Sequence, residues 1–145
     1  MTDTAKYDIR FGDWGAMSAE AKAIRFEVFV AEQGVPAEIE LDHMDAVCLH
    51  AVAYDASGTP VGTGRLLPDG HIGRMAVRKV ARGTGVGSAL LLALMEQARL
   101  RGDQLVALSS QSHAAPFYQR HGFAVEGDEF FEAGIAHINM QHSFK

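Results

Sequence analysis

The residues with the clearest capacity for chemistry are Gly83, Gly85 and Gly87, one residue apart in the run Arg82-Gly83-Thr84-Gly85-Val86-Gly87-Ser88, with a long apolar stretch directly after. Alternate glycines let a backbone enter conformations barred to other residues and turn several amide N–H groups to one side. If the apolar stretch is a helix, its first amides lack intrahelical acceptors and its aligned peptide dipoles leave partial positive charge at that end. That chemistry is anion binding, of a phosphate or pyrophosphate. Each N–H bond to a charged group contributes about 1.5 to 3 kcal/mol, so three or four would anchor a ligand. Arg74, Arg78, Lys79 and Arg82 add positive charge around the turn. A plain strand-to-helix connector is the competing reading of the glycines. Two nucleotide motifs are excluded, since no Lys-Ser or Lys-Thr follows the last glycine and the spacing is G-x-G-x-G rather than G-x-G-x-x-G.

A second group of reactive side chains follows in Pro116-Phe117-Tyr118-Gln119-Arg120-His121-Gly122-Phe123. By pattern, Phe117 and Tyr118 belong to a helix core and His121 to its surface. Cys48 lies in an apolar strand pattern and reads as a buried structural thiol. No H-x-x-x-H or C-x-x-C pair exists, so no metal is expected. Ser109, Ser110 and Ser112 lack a G-x-S-x-G context and read as cofactor or loop contacts.

The elements that must position these groups follow from periodicity. A short strand is predicted over Tyr7 to Phe11 and a helix from Ala16 to Glu32, capped by Asp13 or Ser18 and stopped by Gly34 and Pro36. Glu38, Glu40, Asp42 and Asp45 then form either a solvated loop or an acidic lip that attracts an amine. Val47 to Tyr54 and Val61 to Leu67 alternate around a five-residue turn, and His71 to Val77 completes an antiparallel meander leading into the glycines. Gly62 and Gly64 leave room on one face for a backbone or a ligand. The helix after the glycine turn is apolar nearly all round until Glu96, and therefore largely buried, and Gly102 stops it. Leu105 to Leu108 reads as a buried parallel strand, Ala114 to His121 as a short helix, and Phe123 to Phe131 with Ile135 to Met140 as two final strands.

With 145 residues and 48% hydrophobic content, the expectation is one domain over residues 1–145. A net charge of −5 argues against nucleic-acid binding. The N-terminus lacks a signal-peptide pattern and no apolar run is long enough to span a membrane, so a cytoplasmic location is expected.

The run Arg82 to Gly87 resembles the Arg-x-x-Gly-x-Gly signature of the GCN5-related N-acetyltransferase (GNAT) superfamily, and Phe117-Tyr118 before Gly122-Phe123 resembles its second signature. Ile24 to Asp45 looks like the bacterial ElaA-like subgroup. The resemblance implies an α/β (α+β) GNAT fold, with a central mixed, mostly antiparallel sheet of six to seven strands, splayed at the strand before the glycine loop, and helices on both faces. It implies acetyl-CoA as donor, its pyrophosphate on Arg82, Gly83, Thr84, Gly85, Val86, Gly87 and Ser88, and its pantetheine arm along Met75, Ala76 and Val77. Acetyl transfer to a primary amine of a small molecule is then direct, and Tyr118 is the general acid that protonates the departing thiolate. The Glu that some relatives carry on the strand before the loop is missing here, where Gly73 and Arg74 stand, and Ala114 replaces an Asn often found before the Tyr. His71 and His113 are candidate bases, with Glu27 and direct proton loss to water as further routes. Arg25, Phe29 and Arg74 are candidates for the acceptor wall. A non-catalytic CoA-binding sensor and a different acyl donor are the alternatives, and the oligomeric state is open, a homodimer among the options.

Overall fold

The computed structural model describes residues 7–144. Strand β1 (Asp8–Gly12) leads into helix α1 (Trp14–Arg25), whose first turn is capped by Asp13 accepting the Ala16 amide at 2.9 Å. The predicted single α-helix to Glu32 is two geometries in succession, because residues Phe26–Glu32 wind with the wider π-helical turn. Such turns are uncommon and concentrate at functional sites. A short helix α2 (Ala37–Glu40) and a 3₁₀ turn (His43–Val47) follow.

Strands β2 (Leu49–Tyr54), β3 (Pro60–Leu66) and β4 (Ile72–Val77) form the expected meander, extended by β1 into an antiparallel sheet ordered β1-β2-β3-β4. The Asp55 carboxylate accepts the Ser57 and Thr59 amides and fixes the β2–β3 turn. The two faces of this sheet carry separate cores. Met17, Ile24 and Val28 pack with Val52 and Ala76 on one. On the other lies helix α3 (Val86–Leu100), whose Leu90, Leu91, Leu94 and Ala98 are fully buried. Gly62 and Gly64 leave room for α3, not for a backbone or ligand: a Cβ at Gly62 would come within 2.7 Å of Leu90, and one at Gly64 within 2.8 Å of Leu94 and 2.6 Å of the Met75 sulfur.

Strand β5 (Leu105–Gln111), helix α4 (Ala115–Arg120) and the hairpin of β6 (Ala124–Glu132) and β7 (Ile135–Ser143) complete the fold. The second sheet is ordered β5-β7-β6, and all its pairings are antiparallel. The expected seven-stranded, mostly antiparallel arrangement is present, and its splay beside β4 divides it into sheets of four and three strands. The predicted parallel strand is corrected: β5 runs to Gln111 and pairs antiparallel with β7. Its parallel contact with the first sheet is one bridge, His71 to Ala107, where the Ala107 amide donates to the Gly70 carbonyl at 3.1 Å. A Cβ at Gly70 would lie 2.9 Å from the Leu105 carbonyl oxygen, so the close approach of the sheets there requires glycine. Beyond that bridge β4 and β5 separate. Among the described residues, no helix is long and apolar enough to cross a membrane.

Candidate active site

A cleft of about 820 Å³ fills the space between β4 and β5. Its floor and sides come from Met75, Ala76 and Val77 of β4 and from Leu108 to Gln111 of β5. The π-helical segment contributes Val28, Phe29 and Glu32, α4 contributes Phe117 and Tyr118, and the β6–β7 hairpin contributes Glu132, Ile135 and His137. Strand β4 is irregular in the middle of this wall. Its register against β3 shifts between the pairs Thr63–Ala76 and Arg65–Gly73, and Arg74 takes a left-handed φ of 49°. A bulge of this kind re-aims side chains and frees main-chain groups from the ladder.

The glycine turn lies at one end of the cleft. Gly83 and Gly85 have φ of 79° and 92°, values that side-chain-bearing residues rarely adopt, and Gly85 is the N-cap of α3. Among the described residues, none of the amides from Gly83 through Ser88 donates to a protein acceptor. The turn is braced from below by Thr84, whose hydroxyl donates to the Ala81 carbonyl and accepts from Tyr7 at 2.5 Å. Gly87 differs from its two neighbours: it has no positive φ, and a Cβ there would sit in ordinary contact with Phe117, at 3.7 Å. Arg82 is already engaged, its Nε donating to the Val77 carbonyl at 3.0 Å and its Nη2 paired with Glu32 at 2.5 Å. Arg78 holds Glu27 at 3.1 Å. These two ion pairs tie the glycine turn and the residues before it to the π-helical segment. Ser88 faces elsewhere, its hydroxyl 3.0 Å from His121 Nε2.

Tyr118 is half-buried in an aromatic cluster, edge-on to Phe117 at 5.0 Å and to Phe123 at 6.0 Å. Burial pushes its phenol up to about 12. Among the described residues its hydroxyl makes no hydrogen bond, and the side chain lines the cleft. His71, His113, Phe29 and Arg74 also reach the cleft.

Arg25 does not. It is 1% exposed and grips Asp45 through Nη1 and Nη2, at 2.9 and 3.2 Å. The change from α to π winding falls between Arg25 and Phe29, so the spacing of four that would align them on a regular helix no longer does. Two carboxylates of the expected acidic lip are likewise drawn inward. Arg65 binds Asp42 at 2.7 Å and Asp45 at 2.8 Å, and Arg74 reaches Asp42 at 3.3 Å. Hydrogen bonds from Arg65 outweigh desolvation and hold the Asp42 carboxyl down at about 2. Burial would raise Asp45, yet the hydrogen bonds and charge of Arg25 and Arg65 keep it below the usual carboxylate range. Cys48 is buried as expected, and burial pushes its thiol up. The three serines make protein contacts: Ser109 to Asn139, Ser110 to the Gln111 carbonyl, and Ser112 to Glu129.

The acetyltransferase (GNAT) domain family model matches residues 16–144. The chain is a GNAT acetyltransferase. YjcF of Bacillus subtilis, described as an uncharacterised N-acetyltransferase, is 42% identical to this acetyltransferase over 125 residues, 83% of this chain and 89% of that one. An acyl-CoA N-acyltransferase from Pseudomonas aeruginosa superposes with a TM-score of 0.82 at 31% identity, covering 94% of this chain and 99% of its own. Escherichia coli ElaA superposes with a TM-score of 0.83 at 26% identity, again over 94% and 99%. The domain and its relatives make this acetyltransferase an acyltransferase enzyme.

Several cleft residues of the acetyltransferase carry no signal in the sequence. Glu32 and Gln33 reach the cleft because of the π turn, and Gln33 crosses to Gln111, whose amide donates back to it at 2.7 Å. His137 reaches it because a two-residue turn, Ala133 at φ 53° and Gly134 at φ 76°, fixes the register of β7. Its strand was legible, but the face it would show was not.

Proposed function

We propose that this chain transfers the acetyl group of acetyl-CoA directly to a primary amine of a small molecule. The observation that carries this reading is the run of unpaired amides from Gly83 through Ser88, at the N-terminus of a fully formed helix, next to a cleft that also contains the unpartnered Tyr118 hydroxyl. Amides so grouped suit the pyrophosphate of a CoA thioester, since partial positive charge and several N–H groups converge there. Gly83 and Gly85 serve this arrangement by their backbone conformation, and Thr84 by bracing it. The bulged β4, with Met75, Ala76 and Val77, offers main-chain groups along the cleft for the pantetheine arm.

Chemically, an acyl donor supplies an electrophilic carbonyl and a thiolate leaving group. Holding it beside the acceptor is the largest contribution available to the protein, since orientation is worth about 7 to 11 kcal/mol. Tyr118 supplies the acid. Its phenol, at about 12, stays protonated through the neutral and mildly alkaline range. A free thiol titrates near about 8.5, so full transfer from an exposed phenol would already be uphill. The same dry surroundings that raise the phenol also raise a buried thiolate's proton affinity, which brings the two together. Tyr118 therefore donates a hydrogen bond as negative charge grows on sulfur and completes the transfer as the thiol leaves.

The test is release of free thiol from acetyl-CoA over a panel of primary amines. Turnover with at least one amine, reduced in Tyr118→Phe, supports the proposal. Saturable acetyl-CoA binding without turnover on any amine refutes it. Turnover only with a longer acyl-CoA would replace acetyl by that acyl group.

A further inference from the structure

Three imidazoles line the cleft, those of His71, His113 and His137. His71 stands at the closed end, where the sheets touch, with Nδ1 3.0 Å from Asp69 and more than half of both side chains exposed. His113 is exposed, and among the described residues no hydrogen bond orients its ring. His137 differs in both respects. It is partly buried on β7, its ring is stacked on Phe130 with centroids 5.9 Å apart and 25° between planes, and its Nδ1 lies 2.7 Å from the Ile135 carbonyl oxygen. A carbonyl oxygen can only accept, so Nδ1 carries the hydrogen and the neutral ring keeps its lone pair on Nε2. No described residue donates to that nitrogen.

The position of His137 also suits a base. It pairs with Gln111 in the β5–β7 ladder, at the end of β5 where the two sheets have separated, and Gln111 reaches across to Gln33. We infer that His137 is the general base that takes the acceptor amine's proton, an inference that rests on the acetyl-transfer reading above. It fills the role for which no carboxylate stands on β4. Nε2 accepts one proton from the ammonium, and the freed nitrogen lone pair forms the C–N bond with the thioester carbon. As the C–S bond breaks, Tyr118 gives its proton to sulfur and takes the second proton from nitrogen, leaving one on the amide. His137 returns its proton to water. The balance is ammonium plus thioester giving amide, thiol and one released proton.

Other titratable groups share these walls. Glu32 and Arg82 are bound to each other, Glu129 beside Phe130 is taken by Ser112 at 2.7 Å, and Glu132 lies in the same hairpin. Arg65 and Arg74 line the same cleft and are paired with Asp42.

The experiment compares thiol release by the wild type and His137→Gln across pH, with CoA affinity measured separately. The variant should lose about 10²-fold or more in kcat/KM near pH 7, the scale of a general base. The deficit should shrink as pH approaches the amine's own pKa, near about 10.4, because water then supplies the free amine. CoA affinity should stay within about 3-fold, a change of less than one kcal/mol. Wild-type turnover with a pH-independent deficit, or with none, would overturn the inference while leaving the acetyl-transfer reading intact. Absence of wild-type turnover on any amine would remove both. If the variant does not fold, long-range ¹H–¹⁵N NMR of the unmutated protein reads the His137 tautomer directly. Hydrogen on Nδ1 supports the assignment, and hydrogen on Nε2 overturns it.

Discussion

The two ends of the cleft are built from different materials. The glycine-turn end is backbone, with amides from Gly83 through Ser88 presented by positive-φ glycines at the start of a buried helix. The opposite end is side chains, gathered from a π-helical segment, a bulged strand and a hairpin, with Arg65 and Arg74 committed to Asp42 and Glu32 to Arg82. A backbone site needs glycine at fixed spacing and little else. A side-chain site depends on which face each element turns inward, and that is settled by packing.

The contrast can be broken from either end. The largest effect is expected from Asp45→Asn, which leaves Arg25 and Arg65 buried with half their partner. Removing one member of a buried ion network costs about 3 to 5 kcal/mol, readable by urea denaturation. CoA affinity of the folded protein should be unaltered, because the network does not touch the glycine turn. Next comes Gly85→Val. Its φ of 92° excludes a β-branched residue without strain, so CoA affinity measured by calorimetry should fall about 100-fold as the amides lose their common direction. Stability should fall far less than in Asp45→Asn.

Tyr118→Phe should lower kcat about 10²-fold with CoA affinity unchanged, since only the proton donor is removed. Acid titration then separates the two ends again. Asp42 titrates at about 2 in the folded protein against 3.8 ordinarily, so its contribution to stability is complete above pH 4 and lost as pH falls toward 2. Thermal midpoints of the wild type should drop across that window, and Asp42→Asn should flatten the drop. The smallest effect is expected from Gly87→Ala. With no positive φ and only ordinary contacts for a Cβ, with Phe117 and Val77, alanine in the first turn of α3 should raise stability by about 0.4 to 1 kcal/mol, seen as a higher thermal midpoint.

This difference in materials also explains what the sequence could disclose. The meander, the glycine turn, α3 and the Tyr118 helix were all legible, because each is carried by local periodicity or turn chemistry. The sequence aligns Arg25 with Phe29 because nothing local announces that α winding gives way to π winding at Phe26. Leu105 to Leu108 has the pattern of a parallel strand in the sequence, because the split into two sheets depends on how β7 inserts between β5 and β6, a long-range pairing. Gly62 and Gly64 were visible, but the leucines that fill their space belong to a helix a turn and a strand away in sequence. Glu32 and His137 are invisible as cleft residues until the π turn and the Ala133-Gly134 turn set their direction.

The central claim is that the amides from Gly83 through Ser88 hold the donor at the mouth of the β4–β5 cleft. Backbone ¹H–¹⁵N spectra recorded during titration with acetyl-CoA test it directly. Saturable shifts centred on residues 83–88, extending to Met75, Ala76 and Val77, are predicted. Saturation with those amides unmoved, or with the shifts centred elsewhere on the protein, would contradict it.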